Sequence, residues 1–301
     1  MRRLRFTVAE DAEGLRLDRA LAARAEIGTR SLSERLLQAG AVRVDGAARA
    51  KSHRLERGSV VEVELPSSAD AVEPASVTAP LAFEDEHVVV VDKPSGLAVH
   101  PAAGGSAPTL LPQLLTLGAV GGDDPSRPGV VHRLDLDTSG LLVVARSQGA
   151  YAALQAALRR REVERLYLAL VRGHPRSRTG RIDAPLGRDR RDRTRRSLDT
   201  DEPREAVTHF ELVEALPEHA LLEVRLETGR THQIRVHLAA IDLPVSGDRQ
   251  YGVGKDLGLE RQFLHAHRLR FRHPVTGEDV DLRSPLPADL ETALARARND
   301  E

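Results

Sequence analysis

The chain has 301 residues and a formal net charge of −1, with 44 Lys and Arg against 45 Asp and Glu. It contains no Cys, which excludes disulfides, thiolate zinc sites and a cysteine nucleophile. No apolar run reaches the roughly 18 residues of a spanning helix, and no apolar stretch follows the basic start at Met1–Phe6, so a soluble cytoplasmic protein is expected.

Aromatic residues make up only 3%, so the core must be built mostly from Leu, Val and Ala, and any nucleic-acid surface has few stacking platforms. The near-zero net charge argues weakly against a nucleic-acid partner. Arg supplies nearly all the positive charge, with Lys only at Lys51, Lys93 and Lys255. Arg suits bidentate phosphate contacts, although a coding bias of the source genome gives the same composition.

In chain order, residues 1–66 read as a small αβ unit. Ser31 to Gly40 carries Leu32, Leu36 and Leu37 on one face, a short helix ended by Gly40. Ala41 to Gly46 reads as strand and turn, and Gly58 to Leu65 alternates apolar and polar residues as a half-buried strand does. Residues 67–80, rich in Ser, Pro and Ala, read as a linker. Residues 81–301 read as one larger α+β domain. Its apolar strand runs are Val88–Val91, Leu141–Ala145, Leu166–Val171 and Leu221–Leu226, and its helical stretches are Gly149–Arg161 and Gln233–Ala240. Arg188 to Arg196, with six Arg and two Asp, reads as a solvated loop in preference to an RNA-contacting arm.

The most informative stretch is Gly129-Val130-Val131-His132-Arg133-Leu134-Asp135-Leu136-Asp137-Thr138-Ser139-Gly140, followed by a buried strand. On residue types alone, Asp135 is a carboxylate flanked by apolar side chains and near an Arg, open to use as a nucleophile or a general base. His132 has no second ligand at a useful spacing, so no metal site is expected. Asp137 reads as a turn or surface carboxylate.

This stretch contains HRLDxxTSG in full, and the chain resembles the RluA family of pseudouridine synthases, most closely its RluD branch. Further resemblance lies in Asp92-Lys93-Pro94-Ser95-Gly96-Leu97-Ala98-Val99-His100, in Arg165-x-Tyr167-x-Ala169-x-Val171-x-Gly173, in Leu226 to His237, and in Leu264-His265-Ala266 with Ser284-Pro285-Leu286-Pro287. The resemblance implies a catalytic domain with a central mixed, largely antiparallel sheet and flanking helices. It implies Asp135 as the catalytic residue, Tyr167 as the active-site tyrosine, Arg230 as the arginine paired with Asp135, and Arg133 as the residue that enters the RNA. The reaction is uridine isomerisation in structured RNA, most readily large-subunit ribosomal RNA, with transfer RNA as an alternative. It is redox-neutral and imports no bond energy, so neither a nucleotide nor any other cofactor is expected. One departure is Asp242, where the family usually has Gly.

Leu17-Asp18-x-x-Leu21, Thr29-Arg30-Ser31, Leu36-Leu37-x-x-Gly40-x-Val42-x-Val44-x-Gly46 and Leu55-x-x-Gly58 resemble the S4 RNA-binding domain. That resemblance makes Arg30, Arg35, Arg43, Lys51 and Arg54 candidates for neutralising RNA phosphates. Two other classes remain: a non-catalytic RNA-binding ribosome-assembly factor, and a carboxylate-dependent hydrolase using Asp137 as second acid. No oligomer beyond a monomer is required by anything in the sequence.

Overall fold

A computed structural model of the chain describes residues 2–24, 33, 36–37, 40–65, 78–100, 107–122, 124 and 127–299. The described residues divide into two compact units, one drawn from residues 2–65 and the other from residues 78–299. Among the described residues no helix is long and apolar enough to cross a membrane.

The first unit is a four-stranded sheet in the order β1-β4-β2-β3, antiparallel throughout. The strands are β1 (Arg2–Thr7), β2 (Val42–Val44), β3 (Ala47–Ala48) and β4 (Val60–Leu65), with helix α1 (Leu17–Ala22) beside them. The alternation read in β4 has its expected effect: Val61 and Val63 are buried among Leu17, Leu21, Leu36, Val42, Val44 and Leu55. The β2–β3 turn places Asp45 and Gly46 at φ 51° and 76°, the two-residue conformation that an Asp-Gly pair accepts at low cost. Asp18 is fully buried and receives two hydrogen bonds of 3.0 Å from Arg16. Gly40, at φ 69°, adopts the left-handed conformation of a helix cap, and Ala41 N–H donates to the Leu36 carbonyl. The rest of the helix expected over Ser31–Gly40, with Arg30 and Arg35, lies outside the described residues apart from Ser33, Leu36 and Leu37.

The second unit is built on a nine-stranded sheet. Its strands are β5 (Leu81–Glu84), β6 (Val88–Lys93), β7 (Ser139–Ala145), β8 (Glu164–Arg172), β9 (Thr179–Asp183), β12 (Val207–Ala215), β13 (His219–Leu226), β14 (Leu264–Arg272) and β15 (Asp279–Arg283). The order is β5-β6-β7-β14-β8-β13-β12-β9, and β15 pairs with β14. Only β7 and β14 run parallel, so the sheet is mixed and largely antiparallel. The chain is thus α+β. A short hairpin, β10 (Gly187–Arg188) with β11 (Arg196–Ser197), stands apart.

Val88 to Val91 is an apolar run without alternation because both sheet faces are covered. Val89 and Val91 join one core with Leu114 of α2 (Leu111–Thr116) and Leu290 of α5 (Ala288–Asn299). Val88 and Val90 join another with Leu154 of α3 (Gln148–Arg159). Ala79, read as linker, belongs instead to the first of these cores: it is 1% exposed, and its N–H and carbonyl both bond to the Gln113 amide.

Helix α4 (Gln233–Ala240) ends in a Schellman turn. Asp242 N–H donates to the Ala239 carbonyl and Leu243 N–H to the Leu238 carbonyl, with Asp242 at φ 60°. The departure from Gly seen in the sequence therefore falls on the left-handed position itself. Asp242 is also an exposed carboxylate at a helix C-terminus, the wrong sign for the helix dipole. Asp242→Gly is expected to raise stability by roughly 0.5–1 kcal/mol in chemical denaturation. An unchanged or lower midpoint would show that the Asp side chain compensates for the backbone cost.

Candidate active site

Asp135 lies on the loop leading into β7, and two glycines fit that loop into the sheet. At Gly129, φ 70°, an added Cβ would clash with the Ala145 carbonyl oxygen. At Gly140, φ 111°, it would clash with the Ala266 carbonyl oxygen. Thr138 and Ser139 are buried, with their hydroxyls against Gln262 Nε2 at 3.2 Å and His265 Nδ1 at 2.9 Å.

Two buried cations clamp the loop by its carbonyls. The Lys93 ammonium, with no exposed surface, donates to the carbonyls of Pro94 at 2.8 Å, Leu97 at 2.8 Å and Leu136 at 3.0 Å. Arg261 donates to the Asp137 carbonyl at 3.0 Å and is itself held by both oxygens of Asp289. Asp137 thus sits in a turn and contributes its backbone. Burial pushes the Lys93 pKa down to about 7, opposed by the charges of Asp137 and Asp135.

Lys93→Met would leave those three carbonyls without their donor, at a cost of order 3 kcal/mol. The folded-state pKa lies below the ordinary lysine value of about 10.4. The folded protein therefore binds fewer protons than the unfolded chain between about pH 7 and 10, and stability rises with pH there. The wild type should gain on Lys93→Met across that window in urea titrations. A constant difference would mean that the three carbonyls keep the ammonium at its ordinary pKa.

The partner of Asp135 is a correction to the sequence reading. Arg235 Nη1 donates to Asp135 Oδ2 at 3.3 Å. Arg230, expected in that place, is exposed and donates through Nε to the Glu205 carbonyl at 3.0 Å. Gln233 explains the difference. Its Oε1 accepts from Arg230 N–H at 3.0 Å and from the Thr228 hydroxyl at 2.8 Å, while its Nε2 donates to Val207 O and Thr208 Oγ1. His232 then takes φ 59°, and α4 starts with its third residue, Arg235, turned inward and only 7% exposed.

Asp248, with no exposed surface, receives two hydrogen bonds from Arg235, at 2.7 and 2.9 Å. Its Oδ1 also accepts the backbone N–H groups of Gln250 and Tyr251. Burial opposes both charges. The mutual pairing overcomes it, holding Asp248 below the ordinary carboxylate range and Arg235 above the ordinary arginine value. Arg235 is thereby locked as a cation with its Nη1 left for Asp135. Tyr251 completes the cluster: its ring lies 5.0 Å from the Arg235 guanidinium and its hydroxyl 2.9 Å from His232 Nδ1.

Asp135, Arg133, Tyr167, Arg230 and Arg235 line one cleft, with His132, Arg165 and Leu264. Tyr167, on the central strand β8, is 4% exposed, and its burial, opposed by Arg165 and aided in smaller part by the Asp135 charge, raises its phenol pKa above the ordinary value. Burial lowers the His132 pKa to about 3, so its ring is neutral near pH 7. Arg133 is exposed at the rim, 3.4 Å from His100 Nε2.

The β10–β11 hairpin contains most of the Arg-rich segment read as a solvated loop. Its central residues are exposed, yet it is docked: Arg195 donates to the Gln250 carbonyl and Arg196 N–H to the Tyr251 hydroxyl. Arg188, Arg193, Arg196 and Arg204 share a second depression with Arg230. In the first unit, Arg43 and Lys51 are exposed, and Arg54 is exposed with a hydrogen bond to the Gly14 carbonyl. The sequence reading missed Asp248, the inward turn of Arg235, and the clamps Lys93 and Arg261. Lys93 stood in a quoted motif, and its being one of only three Lys among so many Arg was the one available signal.

The family model for RNA pseudouridylate synthase matches residues 87–240. A Zymomonas mobilis relative named ribosomal large subunit pseudouridine synthase D is 40% identical over 303 residues, covering 95% of this chain and 94% of its own. An uncharacterized RNA pseudouridine synthase of Mycobacterium bovis is 40% identical over 302 residues, covering 97% of each. Among solved structures, human RNA pseudouridylate synthase domain containing 4 superposes with a TM-score of 0.57 at 28% identity, over 72% of this chain and 92% of that one. The chain belongs to the RNA pseudouridylate synthase family, of the RluA/RluD type, and is an RNA pseudouridine synthase.

Proposed function

We propose that the protein isomerises one or more uridines of large-subunit ribosomal RNA, with Asp135 as the group that acts on the nucleotide. The observation that carries this reading is the Asp135 carboxylate, held at 3.3 Å by an arginine whose charge Asp248 already balances. The substrate class is supported by several relatives that carry the name ribosomal large subunit pseudouridine synthase D.

Isomerisation breaks the C1′–N1 bond, turns the uracil, joins C5 to C1′ and removes the C5 proton, with N1 ending protonated. A stacked uridine must first leave its helix, at a cost of a few kcal/mol. In this reading Arg133 at the rim fills the vacated space, and Tyr167 packs against the extruded base, a contact worth about 1–3 kcal/mol. In this reading the hydrogen bond from Arg235 Nη1 holds the Asp135 carboxylate at the nucleotide. A two-carboxylate hydrolase is disfavoured because the other acid beside Arg235, Asp248, is bound on both oxygens. In the first unit, the exposed Arg43, Lys51 and Arg54 suit an S4-like contact with RNA phosphates. In this reading the protein works in the cytoplasm.

The test is pseudouridine mapping of ribosomal and transfer RNA, by carbodiimide adduct and primer extension, in cells with and without the gene. Loss of signal in a large-subunit stem-loop, restored by the wild type and not by Asp135→Asn, is the expected result. Loss confined to transfer RNA would redirect the substrate. Loss nowhere would point to an RNA outside these two classes.

A further inference from the structure

We propose that Arg165 and His132 form an anion subsite in the floor of the cleft that takes a phosphodiester oxygen of the RNA strand at the extruded uridine. This inference rests on the reading of the cleft as the RNA-modifying site.

Three buried arginines stand in or beside this cleft, and they differ in one respect. Arg235 and Arg261 are each held by both oxygens of an aspartate. Arg165 is equally buried, 7% exposed, yet among the described residues it has no carboxylate partner. Its hydrogen bond is a long one of 3.4 Å from Nη2 to the Leu226 carbonyl, and its Nε–H is buried without a partner. A buried guanidinium without a counter-charge is costly, and burial accordingly lowers the Arg165 pKa. On the wider surface that Arg165 also lines, Glu205 and Glu227 are both paired with Arg161.

His132 points to the same need. Its Nε2 accepts the Val143 N–H at 3.3 Å, so the neutral ring carries its proton on Nδ1. That Nδ1 is also buried without a partner. Both side chains line the Asp135 cleft and also the wider surface bearing Arg127, Arg159 and Arg161 that it joins. Gly229 keeps the guanidinium in place, since a Cβ there would stand 2.8 Å from Arg165 Nη1. Two side chains that each bury an unpartnered donor, one of them a cation, therefore line the cleft through which an RNA strand would bring a base to Asp135. A uracil carbonyl would satisfy the hydrogen bonds and leave the charge unbalanced. The phosphodiester is the anion that RNA carries. Tyr167 lies two residues along β8 from Arg165, on the same sheet face, so a base on Tyr167 and its phosphate on Arg165 fit one nucleotide.

The experiment uses the full chain and a transcript of the RNA segment found by mapping. Arg165→Met should lower the slope of log affinity against log salt by about 0.7–0.9, the release of one phosphate's counterion. It should raise KM at least tenfold with a smaller change in kcat, and Arg165→Lys should restore the slope. On the wild type, a single neutral methylphosphonate beside the target uridine should cost what Arg165→Met costs, and should add nothing further in that variant. This scan needs only wild-type protein, so it stands even where the variant folds poorly. A wild type indifferent to every neutral linkage, or a folded Arg165→Met with an unchanged slope, overturns the subsite while the isomerase reading stands. A wild type that modifies no transcript overturns both.

Discussion

Asp135→Asn is expected to lose isomerisation of the mapped RNA by on the order of a thousandfold, with RNA affinity within about twofold of the wild type. The substitution is nearly isosteric, and its amide oxygen still accepts the Arg235 hydrogen bond of 3.3 Å, so the loop clamped by Lys93 and Arg261 has no reason to move. What is lost is the anion. Asp135 is part-exposed, with 14% of its side chain accessible, so neutralising it leaves no deeply buried unpaired charge beyond what Asp248 already balances. Single-turnover kinetics at saturating RNA, with a filter-binding isotherm alongside, separates the two effects. Loss of binding together with activity would assign Asp135 to docking or folding, and retained turnover would remove it from the chemistry.

Asp248→Ala carries the second large effect, and it is one the sequence did not suggest. It would leave Arg235 buried without its two short hydrogen bonds, and breaking a buried pair from one side costs about 3–5 kcal/mol. The freed guanidinium would also turn onto Asp135, occupying the oxygens proposed to act on the nucleotide, so activity should fall by more than the loss of folded protein explains. Urea denaturation and single-turnover rates of the remaining folded enzyme measure the two parts. Arg230→Ala is the control: an exposed side chain bonded to a backbone carbonyl should cost within about 0.5 kcal/mol of stability. Equal destabilisation by the two substitutions would refute the assignment of Arg235 as the buried partner.

The same geometry accounts for the electrostatic design of the cleft. A lone buried arginine beside a lone carboxylate would pair closely and leave the carboxylate saturated. Here Asp248 takes two guanidinium nitrogens and Asp135 one, so the cation is fixed in position while Asp135 Oδ1 is left out of the pairing. Tyr167 adds a protonated phenol near that carboxylate. His132, despite its place in the HRLD motif, is neutral and ties the loop to β7 through Val143.

What the sequence determined by itself was whatever short stretches of chain carry within themselves. The HRLDxxTSG segment singled out Asp135 through its resemblance to a known family, and its Gly140 answers a local backbone demand, seen in its close approach to Ala266. The Asp45-Gly46 turn and the alternation of β4 were legible for the same reason. Asp242 was visible as a departure, although only the Schellman turn showed that it sits at the left-handed position.

The tertiary structure decided which charges meet. Arg230 and Arg235 are five residues apart in one motif, and the left-handed His232 and the bonds of Gln233 turn one outward and the other in. Asp248 reaches Arg235 only after the chain has left α4 and folded back, and Lys93 reaches the Leu136 carbonyl across 43 residues. The missing counter-charge of Arg165 is likewise invisible in a chain where 44 basic residues face 45 acidic ones. Ion pairing depends on distance and burial in three dimensions, and a linear pattern of charges specifies neither.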